Sequence, residues 1–124
     1  MVKSLLIGFA GFVGTLGRYW LSGFVGRRYG ETFPLGTLVV NLLGCFLVGL
    51  LFYLMQERYL VNPNVRSIVL IGFLGGFTTF SSLGIQTFTL LQNDEVALAM
   101  LNMLASNVVG LLLVWAGYTL AKAL

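Results

Sequence analysis

Gly72-Phe73-Leu74-Gly75-Gly76-Phe77-Thr78-Thr79-Phe80-Ser81-Ser82-Leu83-Gly84 lies inside a run of 27 residues, 67–93, that carries no charge. A spanning helix needs about 20 apolar residues, so this run is long enough to cross a bilayer. Its centre is unlike that of a plain lipid-facing helix. Gly75-Gly76 weakens helical backbone, and the Thr and Ser hydroxyls that follow can pair with backbone groups freed by a break. Irregular backbone survives at membrane depth only where protein buries it or where it lines a cavity. The stretch predicts a broken span. Freed carbonyls can hold a cation, while freed N–H groups and hydroxyls can hold an anion. The same residues leave a second reading open, a kinked but continuous helix whose hydroxyls bond back to its own carbonyls.

The rest of the chain repeats the pattern of long uncharged runs. Lys3 and Arg18 are separated by 14 uncharged residues, and runs of 25 and 26 occupy 32–56 and 96–121. Of the 124 residues only 9% are charged and 58% are hydrophobic, with a mean hydropathy of +0.95. Soluble proteins carry about 25% charged residues. We expect a single-domain, all-α membrane protein with four transmembrane helices, the third broken, at about 3–24, 34–56, 66–91 and 96–121. Lys3 and the apolar run after it resemble a signal peptide, but the run continues beyond the usual length and reads as a first membrane helix. Arg18 is placed near one end of that helix, snorkelling or facing a wet cavity. Pro34 fits the first turn of the second helix. Asn62-Pro63-Asn64 reads as a turn, and Asn93-Asp94-Glu95 as a cap for the fourth helix.

The polar inventory excludes several functions. The chain has no His and one cysteine, Cys45. An intrachain disulfide, a His/Cys metal centre and a Ser-His-Asp triad are ruled out, and no nucleophile–base pair points to an enzyme. The net charge of +3 contains no basic run for nucleic acid. No Asp or Glu falls inside an expected span. A proton-coupled carrier usually needs an intramembrane titratable group, so passive conduction is favoured. Four spans place both termini on one side with Lys3, Arg58, Arg66 and Lys122, against Arg27 and Arg28 with Arg18 nearby. That Lys/Arg bias is slight and motivates an antiparallel, dual-topology dimer.

Neutral polar residues recur at helical spacing. Thr37, Asn41 and Gly44 share one face of the second helix, and an Asn amide offers two N–H donors to an anion. Asn102, Ser106 and Gly110 recur at steps of four in the last helix, with Asn107 beside them. Such residues also serve simply as hydrogen-bonding glue between membrane helices, and both readings stand. Gly8, Gly11, Gly14 and Gly17 suit a helix-packing surface. Arg18 either draws anions into a vestibule by its potential or sits as an interfacial charge.

Three motifs in register carry a resemblance. They are Gly75-Gly76-Phe77-Thr78-Thr79-Phe80-Ser81, Gly36-Thr37-Leu38-Val39-Val40-Asn41 and Gly17-Arg18. On these, and in length and span number, nearly the whole chain resembles the Fluc family of fluoride channels, also called CrcB proteins. The resemblance implies a multi-pass protein of the cell's inner membrane that confers fluoride resistance. It would work as an antiparallel dimer with two pores, in contact with lipid and with a second copy of the same or a related chain. It also implies a structural sodium ion at the dimer axis, held by the backbone carbonyls of Gly75 and Thr78. Phe80 would match a pore phenylalanine whose ring edge faces the anion. Asn41, Thr37, Thr79, Ser81, Ser82, Ser106 and Asn107 would complete the fluoride pore, and Arg18 would match the vestibule arginine.

The sequence departs from the family pattern at three places. Leu83 stands for the second pore phenylalanine, Leu111 for a serine after Gly110, and Asn107 for an aromatic or His. These departures keep open a role as one subunit of a heterodimeric channel, or as an accessory subunit. A small multidrug exporter is similar in size but depends on a carboxylate in its first span, and Ser4 to Gly17 has none.

Overall fold

The computed structural model describes residues 1–30, 32–58 and 61–124, and these contain helices and connections with no strand. Helix α1 covers Val2–Tyr29, α2 covers Leu35–Glu57, α3 covers 63–77, α4 covers Phe80–Gln92 and α5 covers Val96–Ala123. Wider π-helical winding occurs at Tyr53–Glu57, Ile68–Leu74 and Ala105–Val109. Among the described residues, three stretches are long and apolar enough to cross a membrane: Leu35–Glu57, Pro63–Gln92 (α3 and α4 together) and Val96–Ala123. Helix α1 is 28 residues long, but its glycines and Arg18 dilute its hydropathy.

Several expected boundaries move. Helix α1 runs beyond residue 24 to Tyr29. Arg27 and Arg28 lie in its last turn, opposing the negative end of the helix dipole. Gly30 closes it at φ 88°, where a glycine is favoured. Arg18 is therefore well inside the helix rather than near its end. Pro34 stands just before α2, its carbonyl accepting from the Leu38 N–H at 3.2 Å. Asn62-Pro63-Asn64 starts a helix instead of making a turn. The Asn62 side chain accepts from the Val65 N–H at 3.0 Å, and Pro63 takes the first helical position. Glu95 precedes α5 without a side-chain cap. The backbone makes that turn alone, with Asp94 at φ 60° and the Glu95 N–H donating to Leu90 O at 2.8 Å.

Small residues set the packing. Helices α1 and α3 run parallel in close contact: a Cβ on Gly14 would overlap the Phe73 carbonyl, and one on Gly76 would come within 2.5 Å of Gly11 O. Helices α2 and α5 also run parallel and share the most extensive interface. There a Cβ on Gly49 would overlap Val114 O, and one on Gly117 would overlap Phe46 O. Lipid supplies little hydrophobic drive to membrane helices, so such backbone approach and the dispersion it permits hold them together. The glycine face of α1 thus packs as expected from Gly11 to Gly17, while Gly8 has nothing within 4 Å.

The buried apolar core is slight, with Val40, Leu74, Phe77, Leu83 and Ala121 among its members. Much of the outer surface is large and apolar, including Phe9, Phe12, Trp20, Leu112 and Trp115, which suits lipid contact. One polar pair sits inside. Asn102, 1% exposed, donates to Thr87 Oγ1 at 3.0 Å, and that hydroxyl donates to Leu83 O at 2.7 Å. This chain ties α5 to α4.

Replacing Gly117 with Val forces apart two backbones that cannot yield. We expect a loss of at least about 1–3 kcal/mol, read as a lower thermal midpoint in detergent. Gly8→Ala, which meets open space, is expected to leave the midpoint unchanged or raise it.

Candidate functional site

The break in the third span falls after Phe77, two residues beyond the glycine pair. Gly75, Gly76 and Phe77 are still helical. Thr78 (φ −91°, ψ 157°) and Thr79 (φ −150°, ψ 125°) are extended, and α4 begins at Phe80. Glycine lowers the cost of a break anywhere nearby, but side-chain partners decide its place. The Thr78 N–H and Thr78 Oγ1 both donate to Leu74 O, at 3.0 and 2.9 Å, and close α3. Asn41 then grips the extended backbone. Its Nδ2 donates to Thr79 O at 2.8 Å, and its Oδ1 accepts from the Thr79 N–H at 2.8 Å. The reciprocal pairing fixes the amide's orientation and satisfies two backbone groups that would otherwise cost several kcal/mol each in a membrane interior. Thr79 Oγ1 accepts from the Ser82 N–H at 3.2 Å, capping α4.

Beside the break lies an open groove of about 320 Å³. Asn41, Thr79, Phe80, Ser106 and Asn107 line it together with Gly75 and Thr78, and Cys45, Val48, Leu70 and Leu74 add apolar wall. No lining residue carries a charge. Phe80 is 72% exposed. Asn107 uses one N–H on Met103 O at 2.8 Å. Ser106 Oγ is buried without a partner among the described residues. The π-helical turn at Ala105–Val109 shifts Ser106 and Asn107 out of the regular step from Asn102. Asn102 accordingly meets Thr87 while the later pair meets the groove.

Other expected site residues lie elsewhere. Thr37 is buried and lines a second open hollow, of about 590 Å³, between the end of α1, the start of α2 and the end of α4. It does not join Asn41 at the groove, although Gly44 does. Ser81 and Ser82 line neither space. Both hydroxyls turn back to Thr79 Oγ1, at 3.4 and 3.2 Å. Arg18 lines neither space as well. Its Nε donates to Gly76 O at 3.2 Å, across to the last turn of α3. Leu83 is packed at 4% exposure in the groove wall, and Leu111 is 72% exposed outside it.

Sequence reasoning missed Thr87. Its nearly symmetric placement with Asn102 about the Asn93–Glu95 turn is the available signal.

The backbone carbonyls at the break are unequally used. Gly76 O accepts from Arg18 and Thr79 O from Asn41. Those of Gly75 and Thr78 accept no hydrogen bond among the described residues. These two oxygens remain available to a hard cation, which takes oxygen ligands.

The sequence profile of the family described as CrcB-like protein, Camphor Resistance (CrcB), matches residues 5–118. The chain belongs to the CrcB family. It is 43% identical, over 124 residues and the full length of both chains, to a protein of Citrifermentans bemidjiense named fluoride-specific ion channel FluC. A protein of the same name from Nitrosococcus oceani is 44% identical over 120 residues, covering 97% of this chain and 96% of that one. A third, from Opitutus terrae, is 45% identical over 122 residues, covering 97% and 92%. These CrcB relatives are named as ion channels and not as enzymes. With its apolar helices, this CrcB chain is a membrane protein.

Removing the Asn41 amide orphans the Thr79 N–H and carbonyl. For Asn41→Leu we expect a loss of about 1–3 kcal/mol per orphaned group. Hydrogen exchange should rise at Thr79 and its neighbours and stay unchanged in α1 before Gly11.

Proposed function

We propose that this chain is a passive, fluoride-selective channel that lets fluoride leave the cell down its electrochemical gradient. The observation that carries this reading is the uncharged groove, where neutral donors meet an exposed phenylalanine beside a break in the helix. Kinship with relatives named for fluoride conduction supports it.

The chemistry follows from fluoride's size. A small, strongly hydrated anion enters a narrow path only if donors replace its water. The groove offers the second N–H of Asn41, the second N–H of Asn107 and the Ser106 hydroxyl. The Phe80 ring presents a partly positive edge. Phe80 and Ser81 N–H groups at the start of α4 have no protein partner among the described residues and lie at the positive end of that helix dipole. None of these groups is a full charge, so each holds the ion weakly, and weak repeated sites allow passage where one tight site would trap it. From an acidic medium fluoride enters a cell as neutral HF and dissociates in the less acidic interior. The membrane potential then drives the anion out, with no intramembrane carboxylate required.

In this reading the chain crosses the cell's inner membrane four times as one domain, with α1, α2, α3–α4 and α5 as the spans. The parallel pairing of α1 with α3 and of α2 with α5 suits an up-and-down arrangement. The groove is open on one side, and Gly75 and Phe80 are exposed there. A second copy in antiparallel orientation would cover that side and complete two pores. The free carbonyls of Gly75 and Thr78 from both copies would hold the structural sodium ion, which neutralises the carbonyl-rich ends of the half-helices when bound. The hydroxyls of Ser81 and Ser82 act here through Thr79, and Thr37 lies on the approach one helical turn from Asn41.

Purified protein in fluoride-loaded liposomes tests the function, with chloride as control. We expect a fluoride-selective leak from this chain alone. No leak would sink the self-sufficient channel, and activity restored only by a second family member would make the chain one half of a heterodimer. Phe80→Ile is expected to cut fluoride flux several-fold, the scale of an aromatic-edge contact worth about 1 kcal/mol, with assembly intact. Unchanged flux would remove Phe80 from the pore.

A further inference from the structure

Resting on the reading of the groove as a fluoride path, we propose that Arg18 is a positioning residue that fixes the broken span, and not a charge that recruits anions. Three observations lead there. First, Arg18 lines neither the groove beside the break nor the hollow that holds Thr37. Second, its Nε donates to Gly76 O at 3.2 Å, a carbonyl in the last turn of α3. A helix C-terminus leaves carbonyls unpaired and collects partial negative charge, so a guanidinium there satisfies both needs. Third, the approach is built for this contact. Gly11 and Gly14 bring the α1 backbone against α3, and Gly17 lies 3.6 Å from the Phe77 ring, measured from where its Cβ would stand. Arg18 follows directly on this stripe.

The break is thus held from two sides. Asn41 of α2 fixes Thr79 beyond the gap, and Arg18 of α1 fixes Gly76 before it. Between them lie the Thr78 carbonyl and, next to Gly76, the Gly75 carbonyl, both without partners among the described residues. Arg18 thereby decides which carbonyls of the last turn are spent and which stay free. A lysine cannot reproduce this. Its charge sits at the tip of a flexible stem, whereas the Arg Nε–H is a donor held in the plane of the guanidinium fork.

Arg18→Lys and Arg18→Met, each in the full chain, separate positioning from recruitment. Two readings are taken: fluoride flux from liposomes against fluoride concentration, and hydrogen exchange over 77–82 in the purified protein. Positioning predicts that both variants lose maximal flux about tenfold, the scale of one charge-assisted hydrogen bond. Half-saturating fluoride should stay unchanged, and exchange over 77–82 should rise in both. The proposal is overturned if Arg18→Lys keeps wild-type flux while Arg18→Met raises half-saturating fluoride, because charge alone then suffices. Exchange over 77–82 that matches wild type in both variants also overturns it, whatever the flux. A wild-type chain that conducts no fluoride sinks the channel reading instead. The exchange measurement then decides the role of Arg18 without it.

Discussion

A carboxamide on α2 pairs with the backbone of one extended residue, and the arrangement of the third span depends on that pair. Asn41 gives Thr79 what a neighbouring strand would give it, an acceptor for its N–H and a donor for its carbonyl, both at 2.8 Å. Without this splint the Thr79 N–H and carbonyl would both go unpaired, at several kcal/mol each inside a membrane. With it, α3 can stop at Phe77 and α4 can begin at Phe80. The restart puts the Phe80 ring on the open side and packs Leu83 inward. Thr79 then serves twice, as the gripped residue and as the cap of α4.

Two closely packed helix pairs frame the contact between Asn41 and the break. Parallel α1 and α3 approach through Gly14 and Gly76, and parallel α2 and α5 through Gly49 and Gly117. Gly44, one turn from Asn41, leaves room for the Thr78 methyl group, which a Cβ at that position would overlap. The same α2 face therefore supplies both the grip and the space for what is gripped. The Asn102–Thr87–Leu83 chain of hydrogen bonds fastens α4 to α5, at a worth of about 0.6–2 kcal/mol for an interhelical bond in a membrane.

Much of this was legible from charge spacing. Uncharged runs longer than 20 residues announce membrane helices whatever their tertiary setting, and 72–84 announced a break because lipid does not favour glycine and hydroxyls at mid-span. The position of the break was not legible. The glycine pair suggested Gly75-Gly76, but a break forms where partners exist for the freed groups, and Asn41 is 38 residues away from Thr79. The surroundings of Arg18 are hidden for a related reason: they depend on where α1 ends and on which carbonyl lies across from it, and neither is a local property. The step of four from Asn102 to Ser106 failed because a π-helical turn inserts extra winding at 105–109, which propensity does not foretell. Thr37 and Asn41 share a helix face, yet they line different spaces, a separation that helical spacing alone does not reveal.

The unpaired oxygens at the break belong to the main chain. A side-chain ligand can be lost by one substitution, but a carbonyl is present whatever residue stands at its position. Mutation can reach such oxygens only through what orients them. On the cation reading proposed above, sensitivity to substitution shifts onto the side chains that hold this backbone, Asn41 of α2 and Arg18 of α1. Variation at Thr78 itself would alter its hydroxyl and methyl contacts and still leave its carbonyl in place. Drift in the behaviour of the break would be written in other helices.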